Sequence, residues 1–551
     1  MTWWSLDLHR FLAPAWAWIP WLFAAAALIP AVSSRLVRPL SAYGEALARG
    51  GAAGFLTATV PPVLAVVLLP DRTFFLGDFQ LRQSTLGSPS AAVPFWYPYC
   101  LPLDLFLHDT LGRFLIHRFD LIDNDVGRLL GAIEAGLLGA LAARFVRALG
   151  ARGAFAALVW AGIAFSGVLT LYTGYNKAFT EMVVIAVAAG AFTLEIAAGR
   201  ASLWPLAIAV TIALFLHRSA VGLLPGFAVA AWLAGSDAAP TSRERLRALA
   251  PALLPLAALA IIGPRIAGIV RRTDAMHFAP ADVKRLGLLA ATLAPARLID
   301  LANLLILLSP IAIVAVAAMA ANPRALKPDR GLVALGTLAA PMLIAALFLH
   351  PSQGLWRDWD TFAAPAAMLS MLAAWALCRT LGDSPRHAWL AVAVLIGCGM
   401  PTIQWLAHSA DRDRGLRRVE ALIAGPPVRA VHERASAWEF LGLRRGDLGD
   451  AAGAAEAFAH EAELEPSPQV LRHWAVMEAG RGDFEHAIEI YRGLVARYPG
   501  DAQGWFELAM LLARSGNTVA ARDAASQALR LDPSRRDWRA FLESLGPAAP
   551  R

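Results

Sequence analysis

Cysteine and charge are the two things this 551-residue chain has little of. It holds three cysteines, Cys100, Cys378 and Cys398, with neither the number nor the spacing for a disulfide framework or a cysteine metal site. Cys378 and Cys398 fall in or beside apolar runs, where a thiol behaves as a small hydrophobe. Charged residues make up 17% of the chain against 57% hydrophobic, whereas a soluble domain carries about 25% charge. A chain so poor in charge, with a mean hydropathy of +0.52, is predicted to lie mostly in lipid. Its net charge of +7 does not imply nucleic acid as a partner, because the basic residues cluster at the ends of apolar runs, where membrane topology explains them.

What is present falls into two parts. Residues 1–406 are dominated by apolar runs, and 407–551 are rich in Arg, Glu and Asp. The expected fold is all-α: a polytopic membrane helix bundle over 1–406, a linker helix over 407–434, and a solenoid over 435–545. The first run, Phe11–Val32, is too long for a signal-peptide core and carries Trp16, Trp18 and Trp21 near one end, as an interfacial aromatic belt does. Further candidate spans of about 20 residues each are 54–70, 129–148, 153–172, 181–198, 202–217, 219–234, 248–269, 298–321, 331–350, 361–380 and 387–406, twelve in all.

Loop charge orients them. Arg35, Arg38 and Arg49, then Arg144, Arg147 and Arg152, Arg200, the Arg243–Arg247 group, Arg324 with Lys327 and Arg330, and Arg379 with Arg386 all fall in one alternating set of loops. By the positive-inside rule that set is cytoplasmic, which places both termini outside. The expected location is the cytoplasmic (inner) membrane, multi-pass, with the C-terminal part on the external, periplasmic side. The opposite loops, 71–128, 173–180, 217–218, 270–297 and 350–360, collect His, Tyr, Trp, Asp and single cations. Within the external loop 71–128, Leu101–Asp123 alternates Leu and Phe with charges and is expected to be an amphipathic helix lying along the membrane surface.

The polar tail repeats itself. Trp438-x-x-Leu441-Gly442 with Gly449-Asp450, Ala454, Phe458 and Pro466 matches the tetratricopeptide pattern; Trp474/Ala475, Gly482-Asp483, Ala487, Tyr491 and Pro499 follow, then Leu508/Ala509, Gly516-Asn517, Ala521, Ala528 and Pro533. Pro499 and Pro533 stand 34 residues apart, the period of that repeat. Three repeats and a closing helix at Arg536–Leu545 are predicted.

The candidate chemistry lies in the external loops. Asp78, soon after the second apolar run, is the candidate catalytic carboxylate; its bland alternative is an ion pair with Arg82. Tyr175 and Lys177 lie between two spans, where Lys177 either snorkels or grips a phosphate. His217-Arg218 forms a tight turn on the side that disfavours arginine, so Arg218 is expected to meet an anionic ligand, or else Glu181. His350 and Arg357 belong to the polar stretch His350–Asp360. There Asp358-x-Asp360 has the form of a site for Mg²⁺ or Mn²⁺, with an N-cap at Asp360 and an Asp358–Arg357 pair as the alternative. Glu134, Asp300 and Asn303 read equally as caps, and Glu195 as a partner of Arg200.

With these residues in place, the chain resembles the C-type membrane glycosyltransferases. Gly77-Asp78 in a long first external loop and the Arg357–Asp360 stretch carry that likeness in motif, and the appended repeats make the architecture similar to the transmembrane-and-tetratricopeptide O-mannosyltransferases. The resemblance implies inverting transfer of a sugar from a polyprenyl-phosphate carrier, outside the membrane, to a protein or glycan acceptor held by the repeats. Asp78 would then be the base, and Arg82, Tyr175, Lys177, His217, Arg218, His350 and Arg357 would bind donor and phosphate. Two other readings stay open: a non-catalytic membrane scaffold for envelope or polysaccharide assembly, and a transporter, which calls for broken or charged helices at the bilayer midplane.

Overall fold

The computed structural model describes residues 2–87, 99–237, 241–274, 281–325, 327–382 and 385–546. Among them every regular element is helical and none is a strand. They divide into two compact units, Met1–Arg418 and Val419–Arg551. That division falls inside the helix Arg412–Ala424, within the segment expected to be a linker helix.

In the first unit, eight helices among the described residues are long and apolar enough to cross a membrane: Gly51–Leu68, Asp123–Leu149, Phe179–Ala197, Arg218–Asp237, Ser242–Asp274, Arg330–Phe348, Trp359–Leu381 and Ala388–Ser409. Three expected straight spans are bent instead. Pro14–Ala27 and Pro30–Arg49 meet at 95°, Gly153–Ala164 and Gly167–Thr173 at 53°, and Pro295–Leu308 and Pro310–Ala321 at 99°, so that the number of spans reaches eleven if each bent pair is one. Pro30 and Pro310 each start the second helix of their pair, where a missing N–H costs nothing. The run expected over 202–217 forms a helix of only 13 residues, Trp204–Leu216, about 20 Å long against the ~30 Å of a bilayer core.

The bends leave backbone groups that apolar surroundings do not satisfy. Side chains supply partners at two of them, Ser33 donating to the carbonyl of Ala27 at 2.5 Å and Thr402 to that of Phe165 at 3.2 Å, while at the third bend the Ser309 and Ser370 hydroxyls bond each other at 2.9 Å. Close packing at the centre depends on glycine. A Cβ on Gly127, Gly131 or Gly139 of the helix Asp123–Leu149 would come within 2.4 Å of a backbone carbonyl, those of Gly174, Tyr172 and Ala58 respectively. Small residues on one helix face let backbones meet this way. The outward faces carry exposed Leu22, Phe23, Leu68, Trp232, Leu253, Ile261 and Val316, side chains that a monomer in water does not gather into large surfaces.

The segment expected to be an amphipathic helix is a helical run over Pro102–Leu105, Phe106–Leu111 and Gly112–Phe119, its middle segment wound as a π-helix. Its polarity is inside out: Asp104, His108 and Asp109 are buried, while Phe106, Phe114 and Phe119 are each more than half exposed. Of the loops expected to be external, 88–98 and 275–280 lie outside the described residues.

The second unit stacks helices in pairs: Val431–Asp447 with Ala451–Leu464, Pro468–Gly480 with Phe484–Arg497, Ala502–Arg514 with Thr518–Leu531, then the closing helix Arg536–Ser544. The recurring Gly-Asp/Asn pair is the turn within each. Gly449, Gly482 and Gly516 take φ of 78°, 92° and 84°, and the Asp450, Asp483 and Asn517 side chains then accept from the amides three residues on, capping the second helix. Ala454, Ala487 and Ala521 are fully buried where the two helices touch.

Candidate functional site

Three segments distant in sequence converge at one end of the first unit. Gly77 is held in a left-handed turn with φ of 46°, and its amide donates to the carbonyl of Arg357 at 3.1 Å while the Arg357 guanidinium returns a bond to the Gly77 carbonyl at 3.4 Å. Only glycine fits: a Cβ there would lie 2.9 Å from Asp360 Oδ2 and 3.1 Å from the Tyr175 hydroxyl. The third segment is the turn after Gly167–Thr173, tied in by Gln83, which donates to the Gly174 carbonyl at 3.1 Å.

On this frame Lys177 Nζ stands 2.8 Å from Asp78 Oδ2 and 3.7 Å from Asp360 Oδ2. Tyr175 donates a short hydrogen bond to Asp360 Oδ2, and the other Asp360 oxygen is buried with no protein partner. Gln353 donates through its side chain to Asp78 Oδ1 at 3.4 Å and through its backbone to Asp358 Oδ2 at 3.2 Å. Aromatic rings wall the cluster: Phe79 packs on Tyr175 at 5.4 Å, Lys177 lies over Phe179 at 4.9 Å, and Arg357 lies over Phe75 at 5.5 Å.

The charges are strongly coupled. Lys177 is the main reason the Asp78 carboxyl is held down at about 2, against the opposing effect of burial. Burial opposes the charge on Lys177 as well, and Asp78 and Asp360 more than offset it, so its pKa rises. Asp358 is pushed up to about 8, by burial first and then by Asp360 and Asp78. The cluster therefore holds an anion at Asp78, a cation at Lys177 and two further carboxyls, Asp358 and Asp360, whose pKa values burial raises.

Several expected pairings differ. Arg82 meets Asp104 at 3.4 Å and the Cys100 thiol at 3.1 Å, and its charge acts on Asp78 less than that of Lys177 does. Lys177 does not snorkel; it neutralises two carboxylates. Arg218 pairs with Asp274 at 2.5 Å, and Glu181 instead meets His108 at 3.1 Å. Glu195 pairs with Arg144 at 2.8 Å rather than with Arg200. Asp360 is not an N-cap but a partner of Tyr175 and Lys177. The cation that Asp360 faces is Lys177.

His217 sits at the rim, packed on Phe179 at 4.9 Å, with its pKa driven well below the ordinary value by burial and then by Arg218. His350 is buried against Thr292 at 3.2 Å. Asp300 and Asn303 bind the Trp4 indole and Ser5 at 2.8 and 2.9 Å. Gln353 was not foreseen; its only signal is that it lies in the polar stretch His350–Asp360.

No curated protein matches the chain. Among solved structures, the APC/C hetero-tetramer Cut9–Hcn1 aligns over 80% of this chain and 88% of that one, at 13% identity and a TM-score of 0.23, too low a score to bear on fold or function. Residues 441–501 and 474–536 match the tetratricopeptide repeat family.

Proposed function

We propose that the first unit is an integral membrane glycosyltransferase of the C type, similar in plan to the transmembrane-and-tetratricopeptide O-mannosyltransferases. It would move a sugar from a polyprenyl-phosphate carrier to a protein or glycan acceptor on the external face of the cytoplasmic membrane. The observation that carries this reading is the convergence of Asp78, Lys177, Tyr175, Gln353, Asp358 and Asp360 from three separate segments into one partly open polar cluster beside the apolar helices. Ionisable groups gathered at the end of a helix bundle mark a functional site by default. The exposed apolar faces of the bundle support its insertion in lipid, and tetratricopeptide repeats support a role in holding the acceptor or partner.

In the inverting step the acceptor hydroxyl attacks the anomeric carbon, the bond from that carbon to phosphate oxygen breaks, and the polyprenyl phosphate leaves with the electron pair. The hydroxyl proton passes to Asp78. A carboxylate held near 2 is a weak base, since a base works best with a pKa near the operating pH. The arriving phosphate competes for Lys177, and drawing that ammonium off Asp78 raises its proton affinity when the proton must be taken. Arg357 supplies further positive charge to the leaving group.

The test is transfer from a polyprenyl-phosphate sugar in membranes holding wild type or Asp78→Asn, with glycans of cells with and without the protein compared by mass spectrometry. The expected loss in the variant is about 10²–10⁴-fold, with normal amounts of inserted protein. Near-full transfer by Asp78→Asn would move the base to Asp358, whose pKa of about 8 suits the task better. Absence of any glycan difference, with solute flux across vesicles holding the protein, would favour a transporter, to which the three bent helix pairs lend support.

A further inference from the structure

Below the amphipathic helical run lies a second polar cluster that sugar transfer does not use. His108 comes from the π-helical segment, Glu134 from the helix Asp123–Leu149 and Glu181 from the first turn of Phe179–Ala197. One ligand atom from each lies within 4.8 Å of the others. His108 Nε2 is 3.1 Å from Glu181 Oε1, and a Glu134 carboxyl oxygen lies within 4.8 Å of both residues' ligand atoms. His108 and Glu134 are more than nine-tenths buried. Two carboxyl groups this close and away from water call for a proton or a cation between them.

From this geometry we infer that His108, Glu134 and Glu181 form a binding site for one divalent transition-metal ion of the Zn²⁺ or Mn²⁺ kind. One imidazole and two carboxylates are the donor set such ions take, while Mg²⁺ and Ca²⁺ prefer oxygen alone. The surroundings are built as a metal-binding histidine requires. Asp104 Oδ1 lies 2.8 Å from His108 Nδ1, the carboxylate–histidine–metal arrangement that fixes the ring and presents Nε2 to the ion. Asp104 is itself held by Arg82, Asn176 donates to the His108 carbonyl at 3.1 Å, and Thr180 donates to Glu181 Oε2 at 2.8 Å.

The second group of potential ligands, Glu478, Asp483 and His486, is the weaker candidate. Arg481 already lies 3.1 Å from Glu478, and Asp483 caps the next helix.

The inference does not depend on the sugar-transfer reading, and its test reads the ion directly. Full-length protein in detergent, stripped with chelator, is loaded with Zn²⁺ alone and then, separately, with Mn²⁺. Bound metal is counted by mass spectrometry, and the Mn²⁺ electron spin resonance signal is examined for coupling to a ring nitrogen. Wild type is expected to hold one ion per chain with nitrogen coupling. Glu134→Gln keeps the shape of the side chain and is expected to lose the ion; Asp104→Asn is expected to weaken it about 10–100-fold; Glu478→Gln is expected to change nothing. Melting of each variant in chelator shows that it is folded. Wild type taking up no stoichiometric ion, or Glu134→Gln and His108→Asn both keeping it, would overturn the assignment.

Discussion

Lys177 decides the state of the residues around it, and it sets the first predictions. Replacing it with Met leaves Asp78 and the almost wholly buried Asp360 without their cation. Breaking a fully buried ion pair costs about 3–5 kcal/mol; here the cost is expected to be smaller, because the Asp78 side chain is 30% exposed. Lys177→Met should therefore lower the temperature at which the protein aggregates in detergent. Adding Asp360→Asn should restore that temperature without restoring transfer, which separates charge balance from catalysis. Asp358 gives a test in pH. Its folded pKa of about 8 lies above the ordinary 3.8, so the folded chain holds its proton more tightly than the unfolded chain does. That stabilisation is complete below about 3.8 and is lost as pH rises through about 8. Compared with Asp358→Asn, wild type should lose thermal stability steadily over that interval, and parallel curves for the two proteins would refute the assignment. The sequence located this cluster because acids, tyrosines and lone cations among apolar runs are visible from composition. It could not pair them: Arg82 is four residues from Asp78 and Lys177 is 99 away, so proximity along the chain suggested the wrong partner.

Among the elements, the repeats were the most legible and the bundle less so. Gly-Asp/Asn turns and 34-residue spacing are local signals, and their geometry follows from glycine's positive φ and an Asx cap. The bends at Pro30, Gly167 and Pro310 were missed because an apolar run looks the same whether it is straight or broken. Proline at the first turn of a helix reads equally as a start and as an interruption. The helix Asp123–Leu149 offers a prediction about packing. Gly131→Ala places a methyl 2.2 Å from the Tyr172 carbonyl, an overlap of the sort that costs about 1–3 kcal/mol in a packed interior, and the displaced strand of chain leads directly to Tyr175 and Lys177. Folded protein and transfer should both fall. Gly397→Ala in Ala388–Ser409 meets nothing within 4 Å and should be neutral in both measurements, judged by size-exclusion of the extracted protein and by the transfer assay.

At the scale of the whole molecule the proposal rests on sidedness. A reporter that works only outside the cytoplasm should be active when fused after Leu545 and silent when inserted after Arg324; the reverse pattern would invert every side assigned above. Another consequence concerns time. Trp4 and Ser5 are secured by Asp300 and Asn303, by the Trp405 indole, and by Arg418, which donates to the Trp4 carbonyl 414 residues earlier in the chain. A ribosome adding about 5–20 residues per second needs roughly 20–80 s to travel from one to the other. For that interval Trp4 and Ser5 are synthesised while the Trp405 indole and the Arg418 guanidinium that hold them are not, so a segment made early is among the last to be fastened.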